Sequence, residues 1–256
     1  MSSRLERIWR LFGTGFSFVL FGLGGLVLAL SVFPFFNIFI QDRARRARWA
    51  QQTVHTSWRV YVFLMQALGV VSSECHGSPL LREARGTLIV ANHPSLLDIV
   101  FLLSLMRRTQ CVIKAGVWRN PFMAGVVKAA NYIPNLGDPE RLVRECADAL
   151  KAGNNLVIFP EGSRTQPGKK HKYQRGFAYV ALMAGAPIQI VSISCQPPSL
   201  RKGEKWYQIP PHRSHWIIRA HECIDVAADY QNLPIPIAVR NLCARVESKI
   251  EEYTAP

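Results

Sequence analysis

The pattern of apolar and polar positions gives the chain two textures. From Leu11 to Ile40 there is no charged side chain, a run longer than the roughly 20 apolar residues that carry a helix across a bilayer. Arg4, Arg7 and Arg10 precede it, and Arg43, Arg45, Arg46 and Arg48 follow it. Because Lys- and Arg-rich flanks stay cytoplasmic, a single crossing puts one basic cluster on the wrong face. A hairpin bent near Gly22, Gly24 and Gly25 keeps both on the same face, and glycine permits such a bend. The run is therefore expected to be a membrane-embedded helical element, re-entrant or in-plane in preference to a single span. A cleavable signal peptide is disfavoured, since no short apolar segment ends in a small-residue cleavage site. A second apolar run, Trp58 to Leu68, places Arg59 and Gln66 near one helical face. It predicts a helix at the interface or against the core.

From Gly86 onward, short β-rich runs alternate with helical patterns. Residues 86–91, 110–113, 155–159 and 188–193 are apolar and bounded by turn residues, as buried strands are. Trp216 to Arg219 predicts a further strand. Between the second and third runs a helix is well marked: Asp138 to cap, Pro139 in the first turn, Leu142, Val143, Cys146 and Leu150 on one face, Gly153 to end it. Another runs from Gly176 to Met183, before Gly185 and Pro187. This alternation predicts an α/β fold with a mixed, largely parallel central sheet flanked by helices. The expected organisation is a membrane anchor over residues 1–50, an interfacial helix and linker over 51–85, and a catalytic domain over 86–256.

Charge and cysteine usage narrow the partners. The chain of 256 residues has 31 Lys and Arg against 17 Asp and Glu, a formal charge of +14, which favours an anionic partner surface. No nucleic-acid module is recognisable, and many arginines flank the apolar run, where anionic lipid head groups account for them. An anionic membrane surface is expected, and nucleic acid is not. The six cysteines are scattered and contain no C-x-x-C pair for zinc or redox exchange. Most sit in apolar surroundings, as reduced thiols do in a cytosol-facing compartment.

Two strings carry the candidate chemistry. The first, Asn92-His93-Pro94-Ser95-Leu96-Leu97-Asp98, follows a predicted strand and opens a predicted helix, with Pro94 suited to its first turn. There Asp98 can hold one imidazole nitrogen of His93 and leave the other for general-base work on an alcohol attacking a thioester. A thioester is already activated, so no covalent intermediate, metal or cofactor is required. Ser95 is expected to bond backbone at the helix start, with a nucleophilic role as the minor alternative. The second string, Phe159-Pro160-Glu161-Gly162-Ser163-Arg164, also follows a strand, at the end where α/β folds bind ligands. Arg164 can grip a phosphate with two parallel bonds, and Gly162 lets backbone amides approach it. Glu161 is too close to Arg164 to be a free base and is expected to shape the loop.

In this order and spacing the two strings resemble the hallmark motifs of the glycerolipid acyltransferase family, over about Thr87 to Ile193. The resemblance implies an O-acyltransferase that moves a fatty acyl chain from an acyl-ACP or acyl-CoA thioester to a lysolipid hydroxyl. The expected acceptor is 1-acyl-glycerol-3-phosphate, and the product phosphatidate. It also implies His93 and Asp98 as catalytic residues, and Lys114, Glu161, Gly162 and Arg164 as substrate-binding ones. Lys114 resembles a lysine that holds the acceptor phosphate in relatives, and Ala186-Pro187-Ile188 resembles the final motif, beside the substrate pocket. A location at the cell inner membrane, with the catalytic domain facing the cytoplasm, goes with that reading. Basic loops at Lys169-Lys170-His171-Lys172 and Arg201-Lys202-Gly203 are candidate docking points for an acidic carrier protein.

One departure stands out. Where phosphatidate-forming relatives carry an aromatic-Ile-x-Arg pattern, this chain reads Tyr132-Ile133-Pro134-Asn135. Loss of one charge-assisted phosphate contact costs about 1.5–3 kcal/mol. This leaves open a lyso-ornithine lipid, a glycolipid or a specialised-metabolite lipid as acceptor. A catalytically silent membrane adaptor is the alternative from another class, although it would have no use for the His93, Asp98, Glu161 and Arg164 constellation.

Overall fold

The computed structural model describes residues 3–165 and 173–255. Helix α1 (Ser3–Val27) continues through a π-helical turn (Leu28–Val32) into α2 (Phe33–Phe39). The helix thus passes straight through Gly22, Gly24 and Gly25, and the expected bend there does not occur. Reversal comes after the apolar run. Ile40 turns extended, and Asp42 caps α3 (Arg43–Ala67) by accepting from the Arg45 amide at 2.9 Å. A helical hairpin does form, with its tip beside the second basic cluster.

Gly22 and Gly24 face open space, whereas Gly25 serves close packing instead of bending. A Cβ added to Gly25 would lie 2.9 Å from the Phe122 carbonyl oxygen, and one added to Gly125 would overlap the Ala29 methyl. Small residues on both sides thus let the apolar helix approach the short helix that carries Gly125. Gly125→Leu is expected to force the two apart at about 1–3 kcal/mol, readable as a lower thermal midpoint and faster proteolysis near residue 30.

After α3 come β1 (Val71–His76), α4 (Ser78–Glu83), β2 (Leu88–Ala91), α5 (Asp98–Leu105), β3 (Thr109–Lys114), α6 (Ala115–Arg119), α7 (Ala124–Ala129), β4 (Ile133–Asn135), α8 (Pro139–Lys151) and β5 (Asn155–Ile158). The chain ends with α9 (Gly176–Ala184), β6 (Ile188–Gln196), β7 (Ser214–Ile224), α10 (Val226–Tyr230) and α11 (Ile235–Thr254). The strands form one sheet in the order β1-β7-β6-β2-β5-β3-β4. β6, β2, β5, β3 and β4 are parallel, β7 is antiparallel to β6, and β1 is parallel to β7. The fold is the mixed, largely parallel α/β sheet that the pattern predicts.

Helices cover both faces. On one, α3 and α5 pack with Phe101, Leu102, Met106 and Trp216; on the other, α8, α9 and α11 pack with Phe177, Leu150, Leu242 and Val246. Asp138 caps α8 as expected, accepting from the Arg141 amide at 3.0 Å. Two boundaries differ from expectation. Helix α3 runs across the expected division at residue 50, and β1 lies within residues 51–85, so the sheet begins before residue 86.

Within this frame α3 buries His55, whose Nδ1 donates to the Leu103 carbonyl at 2.9 Å. Burial lowers its pKa below the ordinary 6.5, with the hydrogen bond to Leu103 acting in the opposite sense. The folded state therefore binds fewer protons here than the unfolded chain. The associated stability is whole above 6.5 and is lost as pH falls through the depressed folded value. The thermal midpoint is expected to fall between pH 7.5 and 5, and His55→Gln, which keeps a donor for Leu103, is expected to flatten that fall.

Candidate active site

Strand β2 ends at Ala91, and Asn92 fixes the chain as it leaves the sheet. Its side chain donates to the Ile193 carbonyl at 2.8 Å and accepts from the Ile193 amide at 2.7 Å, completing one more rung toward β6. His93 therefore sits at the carboxyl end of the parallel strands. Pro94 is not in a helix, because α5 starts only at Asp98, after a turn at residues 95–97. This turn brings the acid back under the imidazole.

The imidazole Nδ1 lies 2.9 Å from Asp98 Oδ2. The Ser95 amide donates to the same oxygen at 2.6 Å, and Trp216 Nε1 donates to Oδ1 at 3.1 Å. A backbone amide and an indole N–H only donate, so both oxygens act as acceptors and Nδ1–H completes the set. Asp98 is fully buried, and burial pushes its carboxyl upward in pKa; the His93, Ser95 and Trp216 donors oppose this. The carboxylate thus fixes the tautomer, leaving Nε2 as the imidazole's unprotonated nitrogen. Phe159 stacks on the ring at 4.0 Å between centroids and 13° between planes, and the His93 side chain keeps 16% of its surface accessible.

The second string interlocks with the first. Glu161 Oε1 accepts from the His93 amide at 3.1 Å and from the Thr165 hydroxyl at 3.0 Å, while the Thr165 amide donates to the His93 carbonyl at 2.7 Å. Glu161 thus anchors backbone. Gly162 has φ +66°, a left-handed conformation that glycine adopts without strain. Arg164 Nη1 donates to the Leu200 and Arg201 carbonyls at 2.8 and 3.0 Å, which leaves Nε and Nη2 as its donors for a ligand. Lys114 ends β3, two strands from β2 at the same sheet edge.

The segment after β6 closes over the dyad. Ser95 Oγ donates to the Ser199 carbonyl at 2.8 Å and accepts from the Leu97 amide at 3.4 Å, and the Leu96 amide donates to the Leu200 carbonyl at 3.2 Å. Ser95 therefore bonds backbone at the helix start, as its local reading predicts, and also holds a distant loop. Of the basic loops, Lys169 to Lys172 lie outside the described residues. Arg201 is engaged by Glu204 at 2.6 Å, and Lys202 Nζ approaches Ser163 Oγ at 3.4 Å.

All six cysteines are free. Burial pushes the Cys111, Cys146 and Cys195 thiols up to about 12, which makes them inert packing groups, not nucleophiles. Trp216 is the functional neighbour that the sequence reading misses. It lies 118 positions from Asp98, and no local pattern marks it.

His93, Asp98, Lys114, Glu161, Gly162 and Arg164 fall within residues 72–195, which match the family model described as Acyltransferase. Over that segment, just under half of its length, the chain is similar to the glycerolipid acyltransferases. Among the relatives of this chain is the 1-acyl-sn-glycerol-3-phosphate acyltransferase BAT2, chloroplastic, of Brassica napus. The two are 25% identical over 204 residues, 75% of this chain and 54% of that protein. The lyso-ornithine lipid O-acyltransferase of Pseudomonas aeruginosa is 32% identical over 127 residues, covering 48% of this chain and 46% of that one. The chain thus spans about half the length of these curated relatives. Its fold matches the crystal structure of the 1-acyl-sn-glycerophosphate (LPA) acyltransferase, PlsC, from Thermotoga maritima. The TM-score is 0.71 at 20% identity, over 99% of this chain and 98% of that one.

Among the described residues one helix, Arg4–Phe39, is long and apolar enough to cross a membrane by length and composition. That apolar helix points to membrane association. The helix is inside out for a soluble protein. Thr14 and Ser17 are buried against the domain, whereas Phe12, Phe16, Val19, Leu23, Val27 and Leu30 are exposed. Trp9 Nε1 donates to the Leu68 carbonyl at 2.8 Å, Arg10 donates to the Pro210 and Pro211 carbonyls, and Phe33 is buried farther along.

Proposed function

We propose that the chain is an O-acyltransferase that moves a fatty acyl group from an acyl-ACP or acyl-CoA thioester to a lysolipid hydroxyl. The acceptor read first is 1-acyl-glycerol-3-phosphate, giving phosphatidate. One observation carries the mechanism: Asp98 accepts from Nδ1 of an imidazole whose other nitrogen remains available at the carboxyl edge of the sheet. His93 Nε2 removes the hydroxyl proton as the oxygen attacks the thioester carbonyl. The new C–O bond forms, the C–S bond breaks, and the imidazolium returns its proton to the departing thiolate. Asp98 stabilises the imidazolium in between, and Trp216 and the Ser95 amide keep the acid in place. Lys114 and the remaining donors of Arg164 hold the acceptor's phosphate, on a loop shaped by Glu161 and Gly162.

The long helix is read as an in-plane anchor. At about 1.5 Å per residue, its 36 residues extend about 54 Å, beyond the roughly 30 Å of a hydrocarbon core. Its polar side is occupied by the domain from Trp9 to Phe33, and its apolar side faces outward. The hairpin therefore forms the anchor, while the strands and helices from β1 onward form the catalytic unit. Basic residues at both ends of the apolar run favour the cytoplasmic face of the inner membrane.

A second acceptor is favoured by one observation. β4 carries Ile133-Pro134-Asn135 where a phosphate-gripping arginine is expected, and a relative is named for lyso-ornithine lipid. A purified sample with radiolabelled acyl-CoA and acyl-ACP, presented with lysophosphatidate, lyso-ornithine lipid and lysoglycolipids, tests both. Product from lysophosphatidate alone supports the first acceptor, and product from lyso-ornithine lipid alone replaces it. No product from any pair removes the enzyme reading. Arg164→Lys is expected to raise the acceptor KM by about tenfold, since a planar two-bond grip becomes a point charge.

A further inference from the structure

At the hairpin tip, α2, the start of α3 and the end of α7 enclose a cavity of about 320 Å³, large enough for a small polar ligand. Arg43, Arg46 and Lys128 line it, with Asn37 and Asn131, against the aromatic wall of Phe33. No acid is among its lining residues. Arg46 spends one bond on the Ile40 carbonyl at 3.2 Å, and Lys128 Nζ sits 5.3 Å from the centre of the Trp118 ring. Both cations are thus held near the cavity by local contacts.

The cavity is separate from the candidate active site. Thr14, Ser17 and Phe18 of α1 lie beside Leu97, Ser199 and Leu200 at the dyad's end, whereas Phe33 marks the tip. Sixteen residues separate Ser17 from Phe33, about 24 Å along a helix. Next to the cavity, Phe35, Ile38 and Phe39 are exposed by 56%, 72% and 67%, continuing the outward apolar stripe. Three cations thus meet in a pocket whose rim is the surface best suited to face acyl chains.

We propose that this cavity binds the phosphate head group of one anionic glycerophospholipid, whose chains lie along the stripe beside α2. Charge complementarity selects the anion, and continuity with the apolar stripe selects a lipid over a free ion. The site rests on the membrane association of the hairpin and is independent of which reaction His93 performs.

The test weighs intact protein released from phosphatidylcholine nanodiscs doped with phosphatidylglycerol, by native mass spectrometry. One retained phosphatidylglycerol per chain is expected. Arg43→Gln/Arg46→Gln/Lys128→Gln should lower the retained fraction at least tenfold. The equal-charge control Arg4→Gln/Arg7→Gln/Arg48→Gln, on exposed residues outside the cavity, should leave it unchanged. Ala47→Trp, which fills the cavity and keeps every cation, should lower it as well; if that variant fails to fold, the two charge variants decide. Equal losses in both charge variants would mean diffuse attraction and overturn the site. So would full retention in a folded Ala47→Trp protein, or displacement of the lipid by millimolar inorganic phosphate. The readout is lipid mass and not acyl transfer, so failure of the catalytic assignment would appear separately.

Discussion

His93→Ala is expected to lower kcat by about 10²–10⁴ while leaving the fold intact. The imidazole supplies one of three donors to Asp98, and the Ser95 amide and Trp216 indole keep the other two. Asp98→Asn should be as damaging to activity and worse for stability. If the amide oxygen faces Ser95, its NH2 meets the Trp216 N–H. If it is turned round, the NH2 meets the Ser95 N–H and forces Nδ1 to accept, which puts the proton on Nε2 where the base is needed. Either orientation leaves a buried donor unsatisfied, at about 1–3 kcal/mol. Steady-state rates with a thioester donor, together with thermal melting, separate the two effects. Near-wild-type turnover in folded His93→Ala protein would remove the general-base mechanism.

The second large effect concerns the bilayer. Replacing Phe12, Phe16, Leu23 and Leu30 by Ser removes four outward side chains, exposed by 72%, 55%, 56% and 69%. Full burial of each such side chain is worth about 1.5–3 kcal/mol, so their joint loss should weaken vesicle partitioning by on the order of 10³-fold or more. Co-sedimentation with liposomes measures it, and circular dichroism should show the helix content kept, because the substituted positions do not face the domain. Undiminished binding by the folded variant would mean that this stripe is not the membrane-facing surface.

Much of the fold was legible because buried parallel strands are apolar runs between turn residues, and because α8 carries its own start and stop residues. β1 was not. Val71-Ser72-Ser73-Glu74-Cys75-His76 is mostly polar, as befits an edge strand, and only pairing with the distant β7 makes it a strand. β4 is three residues long, contains Pro134 and lies at the opposite edge. The bend assigned to Gly22 and its neighbours failed because glycine permits both a kink and close helix contact; here Ala29, Gly25 and Gly125 decide for contact. At the site, the His93 and Asp98 pairing was legible from strand-end placement and short spacing. The stacking of Phe159, the indole of Trp216 and the engagement of Arg164 with Leu200 and Arg201 depend on residues brought together by the sheet, which no local pattern encodes.

The docking of the first helix along the domain has a practical consequence for preparing the protein. Arg10, Thr14, Ser17 and Phe33 are buried there, and Tyr61 donates to the Ser17 carbonyl at 3.1 Å. Trimming the amino terminus up to Asp42 is expected not to yield a water-soluble protein. It would strip the cover from α3 and α7, and the shortened chain is expected to aggregate, readable by size-exclusion chromatography. Detergent or lipid is therefore expected to be needed throughout purification.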